Sequence, residues 1–80
     1  MLIEYIQAAM SHATFEWDDE GKVFIGDILP CEGVLASGAS EEECREHLRE
    51  VLEGWLILRL RRNWEIPTID GIALDVKDVA

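Results

Sequence analysis

Leu29-Pro30-Cys31-Glu32-Gly33-Val34, then Ser40-Glu41-Glu42-Glu43-Cys44, then a charged run to Arg62 that carries Trp55: this is the stretch whose reading decides the fold. Pro30 has no amide hydrogen to give to a ladder, so a strand must stop near Leu29. Gly33-Val34-Leu35-Ala36-Ser37-Gly38, apolar and small residues framed by glycines, reads as a short strand leaving the turn. Ser40 and Glu43 have the spacing of a capping box, in which the serine oxygen accepts the amide hydrogen of residue 43 and the glutamate reaches back to the amide of Ser40. A helix is therefore predicted from Glu41. Glu41, Glu42 and Glu43 face the positive end of its dipole and Arg59, Arg61 and Arg62 the negative end, each favourable by ~0.3–1 kcal/mol if exposed. Asn63 stops this helix, and Ile66-Pro67 cannot continue it.

Along the helix, Cys44, Leu48, Val51, Trp55 and Leu58 recur at three- and four-residue steps, with Leu52 and Leu56 widening the stripe. This face is predicted to cover a sheet. Upstream, Ala13, Phe15 and Trp17 alternate with His12, Thr14 and Glu16, the period of a half-buried strand. Asp18-Asp19-Glu20-Gly21 supplies a tight connection, and Lys22 to Ile28 reads as the returning strand of a hairpin. Leu2, Ile3, Ile6 and Met10 stand at helical spacing over residues 2–10, a helix so short that it must pack on something. Downstream, Asp70-Gly71 makes a turn and Ile72-Ala73-Leu74-Asp75-Val76 alternates as a fourth strand. The expectation is one α+β domain over 1–80, with its core at about 9–76: a four-stranded mixed sheet covered by one long helix, plus a short N-terminal helix.

The chain has 80 residues and a formal net charge of −10, from 17 acidic and 7 basic side chains. Such a charge repels phosphate backbones, which argues against nucleic-acid binding by this chain alone and points to a basic partner. No apolar run approaches the ~18–20 residues of a membrane span, and the start lacks the pattern of a signal peptide, so the cytosol is the expected compartment. Cys31 and Cys44 are expected to be two reduced thiols there.

An order of strand, strand, strand, helix, strand, with the helix across one face, is the first half of an RNase H-like fold. In the hairpin over 14–24, the turn Leu29 to Val34, the opening Ser40 to Cys44, the body Leu48 to Leu56 and the exit Ile66-Pro67, the sequence resembles the HicB family of antitoxins. The match covers residues ~9–70, and its specificity lies in the order and spacing of the pieces. The resemblance implies an inhibitor of a type II toxin-antitoxin system, which binds and occludes a HicA-like toxin, a small basic mRNA-cleaving protein. Many members also carry a C-terminal operator-binding domain, whereas this sequence reaches Ala80 without one.

For contact with a basic toxin the candidates are the hairpin acids Asp18, Asp19 and Glu20, the strand acids Glu16 and Asp27, and Glu32 in the turn. Ile57, Leu60 and Trp64 exceed what one sheet-and-helix layer needs and are assigned to a homodimer contact, while Trp17 and Trp55 are assigned to the core. Catalysis is not expected. Glu16, Asp18 and Asp27 are the strand acids nearest to where two-metal nucleases of this fold gather carboxylates, but Glu16 lies opposite Phe15 and Trp17 and Asp18 belongs to a turn tip. His12, Cys31, Cys44 and His47 lack the paired spacing of a zinc site, and Ser40 has no base beside it. No metal and no cofactor is expected. A stand-alone acidic interaction module without a toxin is the alternative function, and a metal-dependent nuclease of RNase H-like fold the third.

Overall fold

The structure, a computed structural model, describes residues 2–74. Its elements are α1 (Leu2–Ser11), β1 (Ala13–Asp18), β2 (Val23–Ile28), β3 (Leu35–Gly38) and α2 (Glu41–Arg62). The sheet has three antiparallel strands in the order β1-β2-β3. The hairpin register pairs Ala13 with Ile28, Phe15 with Gly26 and Trp17 with Phe24. These residues, with Ala36 and Gly38 of β3, form the face that looks toward α2. Thr14, Glu16, Ile25, Asp27, Leu35 and Ser37 therefore share the opposite face.

Both ends of α2 are fixed by local chemistry. Ser40 Oγ accepts the amide hydrogen of Glu43 at 3.1 Å, and the Glu43 carboxylate reaches the amide of Ala39 at 3.1 Å, one residue earlier than a strict capping box. Asn63 turns left-handed (φ 55°, ψ 37°) and its amide donates back to the Arg59 and Leu60 carbonyls. The buried stripe is a row of four-residue steps, Cys44, Leu48, Leu52 and Leu56. Val51 and Leu58, expected in that stripe, are exposed instead. They lie to one side of the row because a helix that crosses a narrow sheet needs one line of contact rather than a broad face.

The core continues beyond the sheet through groups that have no periodic signature. Tyr5, fully buried, donates its hydroxyl to the Pro67 carbonyl at 2.6 Å, and Cys31, Val34 and Ile69 fill the space beside it. Tyr5, Ile6 and Ala9 are thus the inner face of α1, while Leu2 and Ile3 turn outward. Burial pushes the Tyr5 hydroxyl and the Cys31 and Cys44 thiols to higher pKa, and both thiols are free.

Two further expectations change. Trp17 is 48% exposed, with its ring edge-on to Phe24 at 5.1 Å, because it sits at the hairpin end beyond the cover of α2, whereas Trp55, half-buried on the flank of the helix, does pack against the core. A fourth strand over 72–76 does not join the sheet in its described part. Ile69 and Ile72 instead bridge each other across Asp70 and Gly71, both at positive φ, in a tight turn that His12 Nε2 holds through Asp70 Oδ1 at 2.9 Å. Asp75 and Val76 lie outside the described residues.

Candidate functional site

The face of the sheet turned away from α2 has no element packed over it among the described residues. Period-two alternation places Thr14 and Glu16 of β1, Ile25 and Asp27 of β2 and Leu35 of β3 around one open recess of about 230 Å³. Ile25 is 43% and Leu35 59% exposed, an aliphatic centre flanked by two carboxylates, Glu16 and Asp27. Thr14 Oγ1 donates to Asp27 Oδ1 at 2.5 Å, which fixes that carboxylate across the β1-β2 pair. Ser37 of β3 stands opposite Ile25 on the same face. Its carbonyl accepts a hydrogen bond from His47 Nδ1 at 2.7 Å, and that bond, with the carboxylates of Glu43, Glu50 and Glu46, raises the pKa of the imidazole.

Of the six residues assigned to partner contact, the recess gathers two, Glu16 and Asp27. The hairpin acids stand at the end of the same sheet and are partly engaged at home: Asp18 Oδ1 accepts the Glu20 amide at 3.2 Å, and Asp19 pairs with Lys22 at 3.1 Å. Glu32 lies elsewhere, in the turn between β2 and β3. There it shares one shallow recess with Asp27, Leu29 and Leu35 and a second with Trp55 and Pro67. Ile25 and Leu35 were not singled out from the sequence. Their signal was available, since each is an aliphatic residue at an outward position of a strand whose inward positions hold Gly26, Ile28 and Ala36.

Ile57 and Trp64 are exposed and Leu60 is half-buried, and Leu60 and Trp64 help to line a recess of about 340 Å³ at the end of α2. Beside it Arg59 is stacked 4.3 Å from the centre of the Trp55 ring and donates from Nη1 to the Glu65 carbonyl at 2.8 Å. Among the described residues no three His, Cys, Asp or Glu side chains gather as a metal site would require. Nor is any helix there long and apolar enough to cross a membrane.

The arrangement has the composition of a protein-contact patch, an aliphatic centre beside carboxylates. Comparison with known proteins gives three findings. A family model described as UPF0150-like matches residues 4–67. No curated protein matches the chain. The crystal structure of TTHA0281 from Thermus thermophilus superposes with a TM-score of 0.87 at 31% identity, over 92% of this chain and 91% of that one.

Proposed function

The chain belongs to the UPF0150-like family, and on that premise we propose that it is an antitoxin, a non-catalytic inhibitor that docks on a small basic HicA-like RNA-cleaving toxin and covers its active surface. The observation that carries this reading is the outer face of the sheet, uncovered among the described residues, where Ile25 and Leu35 stand exposed between Glu16 and Asp27. Ile25 and Leu35 are already about half covered, so burying the remainder is favourable by ~0.7–1.5 kcal/mol each, a contribution that a pair of such residues can make at the centre of an interface. The carboxylates would select a basic partner and speed its arrival, in line with the charge of −10 on the whole chain. A strand-strand-strand-helix order with the helix on one face supports kinship with half of an RNase H-like fold, used here as a scaffold and not for catalysis.

In this reading two copies meet through Ile57, Leu60 and Trp64, on the helix end remote from the hairpin tip. Light scattering at micromolar concentration would then give twice the chain mass, and a monomer there removes the assignment. For the inhibitor role, the test is co-expression with the product of an adjacent basic reading frame. Rescue of growth together with co-purification is expected. Growth arrest that this chain leaves unrelieved, with no complex recovered, would overturn the reading.

A further inference from the structure

Around the Pro30 to Gly33 turn, the outer-face recess leads by shared walls to a second site. Asp27 and Leu35 border both the outer-face recess and the shallow one beside it, and Glu32 borders that one and the next. The last is an open recess of about 240 Å³ lined by Pro30, Glu32, Trp55, Arg59, Glu65 and Pro67. Its walls are two proline rings and an indole, and its rim carries two exposed carboxylates. The Arg59 guanidinium on its floor is stacked on Trp55 and donates from Nη1 to the Glu65 carbonyl, while its Nε is buried without a hydrogen-bond partner among the described residues; its charge sets the two rim carboxylates against one cation and leaves the recess net acidic. Gly33 keeps the indole edge uncovered: a Cβ at that position would stand 3.9 Å from Trp55 Nε1, and the backbone there, at φ +97°, disfavours any side chain. Among the described residues nothing accepts a hydrogen bond from that indole N–H.

We infer that this recess binds an arginine or lysine side chain carried on an extended segment of a basic polypeptide. Each part of the site has a counterpart in such a ligand. The Trp55 N–H, a donor with no acceptor among the described residues, donates to a backbone carbonyl of the segment. The proline and indole surfaces cover the aliphatic stem of the basic residue, and Glu32 and Glu65 hold its charged head. A segment leaving the outer face would meet carboxylates in succession at Asp27, Glu32 and Glu65. The site extends the docking of a folded partner on the outer face but does not depend on it, because a free peptide is a sufficient ligand.

The test uses the full chain, labelled with nitrogen-15, and two blocked peptides, Pro-Pro-Arg-Pro-Pro and the same peptide with glutamate at its centre. The three indole N–H signals are assigned with the single variants Trp17→Phe, Trp55→Phe and Trp64→Phe. On titration with the arginine peptide, the Trp55 signal should shift saturably while that of Trp17 stays in place. The double variant Glu32→Gln/Glu65→Gln, altered only at exposed carboxylates, should keep the folded spectrum and weaken binding at least roughly fivefold. The glutamate peptide should cause no saturable shift. An unmoved Trp55 signal, equal response to both peptides, or unchanged affinity in the Gln pair would each overturn the assignment. Toxin binding lost by outer-face variants that still bind the peptide would show the two sites to be separate.

Discussion

Replacing Gly38 with alanine should be among the most damaging small changes in the chain, and the geometry gives the size of the effect. A Cβ at this position would lie 2.5 Å from the Cys44 amide nitrogen, 2.8 Å from Cys44 Cα and 3.0 Å from the Glu43 carbonyl carbon. Against an ordinary contact of ~3.5 Å, the overlap approaches about 1 Å, and every atom met is backbone. That backbone is the first turn of α2, held by the Cys44 amide to the Ser40 carbonyl at 2.9 Å and by the Ser40 cap, so it cannot yield locally. The helix must lift away from β3 as a unit. Overpacking typically costs ~1–3 kcal/mol and more where nothing can rotate aside, so ~3 kcal/mol is expected here. A domain of this size has about 4–12 kcal/mol in total, and each kcal/mol moves the melting temperature by ~4–8 °C. Gly38→Ala should therefore melt at least ~12 °C below the parent chain, read by circular dichroism. Gly54 is the internal control. It lies mid-helix with nothing within 4 Å of a Cβ, so Gly54→Ala should stabilise by ~0.5–1 kcal/mol and melt a few degrees higher. A Gly38→Ala protein melting within a few degrees of the parent would refute the close approach of α2 to β3 described above.

Tyr5→Phe removes the hydrogen bond to Pro67 without changing the ring, and should cost ~1–2 kcal/mol in urea unfolding by leaving that carbonyl unpaired; no loss would mean that water replaces the hydroxyl. His47 holds its proton more tightly folded than unfolded, chiefly through the Ser37 carbonyl. Its contribution to stability is thus full below the unfolded pKa of ~6.5 and is lost as pH rises through the higher folded value. The urea midpoint of the parent should fall more steeply above about pH 6.5 than that of His47→Gln, and equal slopes would dismiss the bond. Cys31 and Cys44 are both buried with thiol pKa values pushed up, so a thiol reagent at about pH 8 should label the native chain slowly and the urea-unfolded chain fast; rapid native labelling would contradict their burial.

What could be read from the residues was whatever local chemistry decides. Ser40 and Asn63 bound α2 where their capping preferences place them, and Pro30 ends β2 as a residue without an amide hydrogen must. The alternation of β1 gave the two faces correctly, but not how far along the sheet the helix reaches, and so Trp17 was assigned to a core that ends before it. Val51 and Leu58 show the same gap: their spacing suits a helix stripe, yet only the four-residue row touches the sheet. Tyr5, Cys31, Val34 and Ile69 come together from a helix and two loops, which no period along the chain can announce. The candidate site was half legible. Charge pointed to Glu16 and Asp27, whereas the apolar residues between them, Ile25 and Leu35, gain meaning only once the register sets them side by side with no described element above.

The central claim, that the outer face of the sheet is where a basic toxin docks, is tested most directly by calorimetric titration of the toxin against the parent chain and against Ile25→Lys/Leu35→Lys. Both positions are exposed, so the double variant should keep the parent's far-ultraviolet spectrum and melting behaviour within about 1 kcal/mol. Two like charges placed in the centre of the interface should weaken binding at least about a hundredfold. Undiminished affinity in a folded double variant would contradict the claim and move the contact to another face of the molecule.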